Sequence, residues 1–145
     1  IMLMDAHDTI RWTVTTSPRT PGDMLSQCRE LFSARQDAAF FPFESTGPGW
    51  VENQYDQNRI AWVTGDSVSM VFEALTAGCR VGIIPVDWKN ENKIERAVST
   101  LEQENYVIPF SRMAEQSGFA GIKSLNEAQR CAEEILKRWW PDRLQ

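Results

Sequence analysis

The sequence contains very few of the side chains from which most protein metal sites are built. His7 is the only histidine among 145 residues, and the three cysteines, Cys28, Cys79 and Cys131, lie far apart. Zinc sites need several histidine or cysteine ligands at close spacing, so we expect no bound metal. An odd number of widely separated cysteines is also typical of a reducing compartment, and we therefore expect a cytoplasmic protein.

Long hydrophobic runs and an excess of basic residues are missing as well. No apolar stretch approaches the roughly 18 residues of a membrane helix, and no signal peptide is recognisable, so we expect no membrane span. Fifteen lysines and arginines against 20 acidic residues give a net charge of −5, which argues against nucleic acid as a partner. The composition, 42% hydrophobic and 24% charged, predicts a globular domain. Because the sequence begins with Ile1, we expect that an N-terminal part is missing.

Apolar runs of strand length alternate with helical periodicity along the chain. This alternation indicates βαβ units, and hence an α/β fold with a three-layer parallel sheet of about five strands and helices on both faces. Thr20, before Pro21, and Asn126 are typical N-cap residues. The predicted strands are residues 10–16, 38–43, 60–64, 80–86 and 106–110; the predicted helices are 21–35, 67–77, 93–104 and 126–140, with a loop at 44–53 and a helical turn at 55–59.

The most informative stretch is residues 60–78, in which a buried strand passes through a short polar turn into an amphipathic helix. We predict Asp66 as the N-cap of this helix. The first backbone N–H groups of a helix have no partner inside it. The amides of Ser67, Val68 and Ser69, together with the two serine hydroxyls, therefore form a candidate anion site.

The helical register places Glu73 on the same side as Asp66 and Ser69, about 10 Å along the axis from Asp66. A carboxylate there would accept two hydrogen bonds from the ribose of a nucleotide whose phosphate lies at the helix start. The same residues also fit a simpler interpretation, in which Asp66, Ser67 and Ser69 only cap the helix and Glu73 is a solvent-exposed acid. The predicted apolar stripe of this helix is Val68, Val71, Phe72 and Leu75.

Three segments carry a family resemblance: TTSPRTP at residues 15–21, VTGDSVSMVFEALTAGCRV at 63–81 and KIERAVSTLEQENYVIPFS at 93–111. They resemble the signatures of the mitochondrial-fission family of plants and its bacterial relatives, which often carry the label of predicted nucleoside-diphosphate-sugar epimerases. The sequence departs from that pattern at Pro18, where an arginine is usual, and at Arg80, where a proline is usual. The family in turn resembles glycosyltransferases of the two-domain GT-B fold.

The resemblance implies that residues 10–145 are a Rossmann-like nucleotide-sugar-binding domain, the C-terminal half of a GT-B-like fold, and that residues 1–9 are a linker or the remnant of a missing N-terminal domain. A nucleoside-diphosphate sugar would be the substrate, bound without a cofactor, and the missing domain would hold the acceptor and the catalytic base. The resemblance assigns no catalytic residues, and this chain alone is expected to be inactive. The implied ligand-binding residues are Ser17, Arg19, Thr64, Gly65, Asp66, Ser67, Ser69 and Glu73, with Lys89 and Lys93 as weaker cationic candidates.

Two other functions remain open from the sequence. One is a non-catalytic interaction module of the same fold, which the family's association with organelle fission and the residue Pro18 favour. The other is a serine hydrolase, because GDSVS at residues 65–69 resembles a G-x-S-x-G nucleophile elbow. Ser69 replaces the last glycine of that motif, and His7 precedes the serine in the chain, so this alternative is the weaker one.

Overall fold

The part of the chain that the structure describes contains five parallel strands in two sheets, which confirms the α/β class. The computed structural model describes residues 1–7, 9–87, 93–114, 119 and 121–141. It divides into two compact units, the first unit Ile1–Asn53 and the second unit Gln54–Gln145. The first holds a two-stranded sheet and the second a three-stranded sheet. Periodicity identifies strands, whereas the pairing of strands depends on tertiary contacts that a sequence pattern does not encode.

The first unit is a β-α-β segment preceded by a short helix. Its two strands are parallel, with Trp12 opposite Ala38. The ring of Phe32 stacks on the ring of Phe40 with centroids 5.5 Å apart, which holds the helix against the sheet. The elements are α1 (Met2–Asp5), β1 (Trp12–Thr15), α2 (Gly22–Ser33), β2 (Ala38–Phe41) and a 3₁₀ turn (Phe43–Ser45).

A short helix opens the first unit. Residues 1–9 include α1, whose side chains Leu3 and Met4 are buried. The predicted first strand is too long by two residues at its start. Ile10 N–H donates to His7 O at 3.1 Å, so Ile10 belongs to a turn, and its side chain is exposed.

The second unit alternates helices with three parallel strands. Its elements are α3 (Trp50–Gln57, from Gln54 on in this unit), β3 (Ile60–Thr64), α4 (Val68–Thr76), β4 (Arg80–Ile84), α5 (Lys93–Gln103), β5 (Val107–Pro109), a 3₁₀ turn (Phe110–Arg112) and α6 (Glu127–Trp139). The strand order is β3-β4-β5, with Ile60 opposite Arg80 and Val81 opposite Val107. The buried core joins the strands to α4 and α5 through Val63, Val71, Ala74, Leu75, Val81, Ile83, Val98, Leu101, Val107 and Ile108.

The helix α3 begins inside the segment 44–53, which the sequence predicts as a loop. Gly49 adopts a left-handed φ of +81°, and Asn53 N–H donates to Gly49 O at 3.0 Å. The loop prediction is therefore wrong from Trp50 onward. A Gly-Pro-Gly run favours a loop by composition, but here its last glycine turns the chain directly into a helix.

The remaining helix ends agree well with the sequence. Gly78 has the predicted left-handed conformation after α4, with a φ of +85°. Asn126 caps α6 as predicted, because its Oδ1 accepts from Gln129 N–H at 2.9 Å. The apolar side chains Ile135 and Trp139 of α6 are exposed. Throughout the described residues, each helix is too short or too polar to traverse a bilayer.

Candidate functional site

The candidate anion site is the turn between β3 and α4. Gly65 follows the last residue of β3, and its N–H donates to Ile84 O at 2.9 Å, which ties the turn to the end of β4. Ser67 N–H donates to Thr64 O at 2.9 Å, and Thr64 Oγ1 donates to Ser67 Oγ at 3.4 Å. Ser67 is only 6% exposed. Two strands therefore hold this turn in place before the helix begins.

Ser67 is the N-cap residue of α4, so the predicted cap at Asp66 is wrong. The carbonyl of Ser67 accepts the first intrahelical bond, from Val71 N–H at 3.1 Å. Asp66 is exposed within the turn. The hydrogen bond from Ser67 N–H back to Thr64 O encloses Asp66 in the turn and delays the start of the helix by one residue.

The amides predicted to hold a phosphate fall into two kinds. The amide of Ser67 is used inside the turn, where it donates to Thr64 O. The amides of Val68 and Ser69 precede the first intrahelical bond of α4, and N–H groups at these positions point out of the helix start. Ser69 is also exposed. An anion at this turn would meet these two amides and the positive end of the helix dipole.

Glu73 lies on the solvent side of α4, one helical turn after Ser69. Val71 and Ala74 have no exposed surface and Leu75 is 3% exposed, so the opposite side of the helix is firmly buried. This burial confirms the predicted amphipathic register. The rise of the helix places Glu73 about 9 Å along the axis from the N-cap, a distance that suits a ribose attached to a phosphate at the helix start.

The other predicted ligand residues, Ser17 and Arg19, lie in the first unit, in the turn between β1 and α2. Ser17 N–H donates to Thr20 Oγ1 at 3.0 Å, and Arg19 N–H donates to Ser17 Oγ at 3.3 Å. The predicted cap at Thr20 is wrong, because its hydroxyl closes this turn and Pro21 holds the cap position. The structure thus gathers the predicted ligand residues of the range 64–73 in one segment of the second unit, and Ser17 with Arg19 in one turn of the first.

Other reactive side chains offer little chemistry at these turns. Lys93 is exposed at the start of α5, and Lys89 lies outside the described residues. Cys79 is a free, buried thiol whose S–H donates to Asn58 O at 3.3 Å, and burial and the nearby charge of Asp56 raise its pKa, which suits a packing role. Among the described residues, no group of three or more histidine, cysteine, aspartate or glutamate side chains is placed to hold a metal ion.

A cleft of about 270 Å³ opens beside Gly65 in the second unit. Helix α5 lines it with three polar side chains, Glu95, Ser99 and Glu102. One carboxylate oxygen of Glu95 is fully buried, and desolvation raises the pKa of Glu102. The other lining residues are Ile83, Pro85, Val86, Val98 and Phe110.

This cleft was not predicted from the sequence. The one signal available is the spacing of Glu95, Ser99 and Glu102, which places all three on one face of a helix together with the apolar Val98. Acidic residues at such spacing usually face solvent. Their contribution to a cleft becomes visible only when α5 is packed against the ends of the strands.

The family of the chain follows from a comparison with protein-family models. The model of the family described as Mitochondrial fission ELM1 matches residues 1–139. Searches among curated proteins and among solved structures found no match. The matched range contains all three segments that carry the resemblance and every predicted ligand residue. Because it covers nearly the whole sequence, this chain belongs to the mitochondrial fission ELM1 family.

Proposed function

We propose that this chain binds a nucleoside-diphosphate sugar and forms the C-terminal half of a GT-B-like glycosyltransferase. The observation that carries the proposal is the segment 64–73, in which the amides at the start of α4 and the exposed carboxylate of Glu73 belong to one well-anchored helix. Family membership supports it, because the family resembles GT-B enzymes. An N-terminal domain with the acceptor site and the catalytic base would be the partner of this chain.

The chemistry starts from the helix N-terminus. Negative charge grows on the leaving diphosphate during glycosyl transfer, and the amides of Val68 and Ser69 with the helix dipole would stabilise that charge without a metal. The carboxylate of Glu73 would accept hydrogen bonds from the two ribose hydroxyls. The ligand roles implied for Ser17 and Arg19 of the first unit remain predictions.

Isothermal titration calorimetry with UDP, GDP, CDP, ADP and their sugar conjugates tests the proposal. We expect at least one of these ligands to bind. Glu73→Ala should weaken that binding about ten- to a hundredfold, because a hydrogen bond to a charged group contributes about 1.5–3 kcal/mol. Thr76→Ala is the matched control, since Thr76 is exposed on the same helix and lies further from its start.

Two results would contradict the proposal. One is that no nucleoside diphosphate or nucleotide sugar binds to the chain; the other is that Glu73→Ala leaves the affinity of a bound nucleotide unchanged. The first result would favour a non-catalytic interaction module, whose mark would be a stable protein partner that nucleotides do not displace; the second would remove Glu73 from the nucleotide site. A cytoplasmic location is part of the same proposal and is supported by the three free cysteines.

A further inference from the structure

We propose that the cleft beside Gly65 binds the sugar of the nucleotide sugar and that Glu102 selects a sugar without an acidic group; this inference rests on the proposed function. A nucleotide sugar carries its ribose and its sugar at opposite ends of the diphosphate. With the diphosphate at the start of α4 and the ribose beside Glu73, the sugar extends away from this helix, toward the turn that precedes it. That turn contains Gly65, which lines the cleft.

The size and the position of the cleft suit one sugar ring. Its volume of about 270 Å³ lies just below the range of about 300–1,000 Å³ that is usual for pockets of small ligands. Pro85 after β4 and Phe110 after β5 line it, so it lies at the carboxyl ends of the strands, where open parallel sheets bind their ligands. Phe110 and Val98 offer apolar surface to the C–H groups of a ring, whereas its hydroxyl groups need polar partners.

Ser99 and Glu102 can supply these polar partners. Ser99 Oγ accepts from Gln103 Nε2 at 3.4 Å, which leaves the hydroxyl hydrogen of Ser99 to donate. Glu102 is half-buried, and among the described residues no group donates to its carboxylate or pairs with it. This carboxylate has therefore lost water without gaining a partner, and the desolvation raises its pKa. Sugar hydroxyls are donors that would satisfy it.

The charges of the cleft oppose an acidic sugar. Its described lining holds two carboxylates, those of Glu95 and Glu102, and no cationic side chain. Glu95 has contacts of its own and one fully buried oxygen, so Glu102 is the acid that a sugar would meet. A uronic acid would place a further carboxylate beside Glu102, and like charges repel more strongly where little water screens them. A neutral sugar would donate hydrogen bonds to Glu102 instead.

Titration calorimetry with UDP, GDP, CDP and ADP, and with the glucose and the glucuronate conjugate of each, tests the inference. The two conjugates of one nucleotide differ only at C6, which carries a hydroxyl group in one and is a carboxylate in the other. We expect the glucose conjugate to bind at least tenfold more tightly. Glu102→Gln should bring the two affinities within about threefold of each other, because an amide carries no charge. Glu104→Gln is the matched control, since Glu104 is exposed just beyond α5 and does not line the cleft.

A second pair of variants tests the location of the sugar. Ser99→Leu adds bulk to the wall of the cleft. It should lower the affinity for the glucose conjugate at least tenfold and leave the affinity for the free diphosphate unchanged. Thr100→Leu is the matched control, because Thr100 is exposed on the same helix and does not line the cleft.

The outcomes separate this inference from the proposed function. If no diphosphate and no conjugate binds, the proposed function itself fails. If the glucose and glucuronate conjugates of a bound nucleotide have equal affinities, or if Glu102→Gln keeps the full preference, the proposed function stands and the role of Glu102 is overturned. If Ser99→Leu leaves the affinity for the glucose conjugate unchanged, the sugar lies outside the cleft. The comparison of conjugates on the wild-type chain decides the preference even if a variant does not fold.

Discussion

The turns after β1 and β3 share two hydrogen-bonded contacts, although they lie in different units. In the first, Thr20 N–H donates to Ser17 O at 3.0 Å, and the two hydroxyl oxygens are 3.5 Å apart. In the second, Ser67 N–H donates to Thr64 O at 2.9 Å, and the hydroxyl oxygens are 3.4 Å apart. Each turn thus carries a hydroxyl residue at its first and fourth positions and leads into a helix.

The two helices that follow these turns differ much more than the turns themselves. In α2, Phe32 is the one buried residue, and it lies near the end of the helix. In α4, Val71, Ala74 and Leu75 are buried close behind the turn. Helices in proteins gain most of their stability from packing of the apolar face. The second turn is therefore rigidly supported by a core, whereas the first depends mainly on its local hydrogen bonds.

Truncation of one leucine in each helix should show most clearly that a core supports α4 and not α2. Leu75 is 3% exposed in α4, and Leu31 is 38% exposed in α2. We expect Leu75→Ala to lower the free energy of unfolding by about 2–5 kcal/mol, because it leaves a cavity in the core. Leu31→Ala should cost roughly half as much or less, since part of its surface is already in water. Urea denaturation of both variants measures the difference, and equal losses would show that α2 is supported as firmly as α4.

Substitution of a glycine inside the three-stranded sheet should have the next largest effect on stability. A Cβ at Gly82 would overlap the indole ring of Trp62, which in turn contacts the rings of Phe110 and Phe119 at 6.0 Å between centroids. We expect Gly82→Ala to destabilise the chain by about 1–3 kcal/mol through overpacking. Gly47→Ala is the control, because nothing lies within 4 Å of a Cβ at that position.

Thermal unfolding followed by circular dichroism checks this comparison. The intensity of tryptophan fluorescence should change in Gly82→Ala and not in Gly47→Ala, since only the first substitution displaces an indole. Equal melting temperatures for the two variants would mean that Trp62 moves aside without cost. In that case the sheet of the second unit is less tightly packed than its burial indicates.

The strands and helices were largely predictable because their patterns are local. The run that forms β3 is predicted to the residue, since a charged residue precedes it and Gly65 follows it. The prediction of β1 starts too early at Ile10, because an alternating pattern does not show where a ladder of hydrogen bonds begins. The arrangement of the strands in two sheets is a tertiary property, and no periodicity reveals it.

The side of α4 that carries Glu73 could be predicted from the sequence, whereas the N-cap and the cleft could not. Helical geometry alone places Glu73 on the exposed side of α4, and the burial of Val71 and Leu75 confirms it. The position of the N-cap depends on one hydrogen bond, from Ser67 N–H to Thr64 O, which residue preferences do not specify. The cleft depends on residues from three strand ends and α5, which lie up to 45 positions apart between Gly65 and Phe110.

The smallest expected effect concerns an ion pair that holds the first unit together. Arg35 binds Asp37 through two nitrogens, at 2.9 and 2.8 Å, and reaches Asp5 of α1 at 2.8 Å. Hydrogen bonding from Arg35 lowers the pKa of Asp37. A carboxylate with a lowered folded-state pKa stabilises the fold above its unfolded pKa, about 3.9, and this stabilisation is lost as the pH falls through the folded value.

Asp37→Asn should therefore reduce the stability of the chain slightly at pH 7 and flatten the decline of its melting temperature below about pH 4. Asp87→Asn, which removes an exposed carboxylate of the second unit, should leave that decline as steep as in the wild type. High salt should narrow the difference between wild type and Asp37→Asn at pH 7, since salt partly screens charges that are only half-buried. If the melting temperature of Asp37→Asn declines at low pH as steeply as that of the wild type, the ion pair does not stabilise the first unit. The contact of Phe32 with Phe40 is then what stabilises this unit.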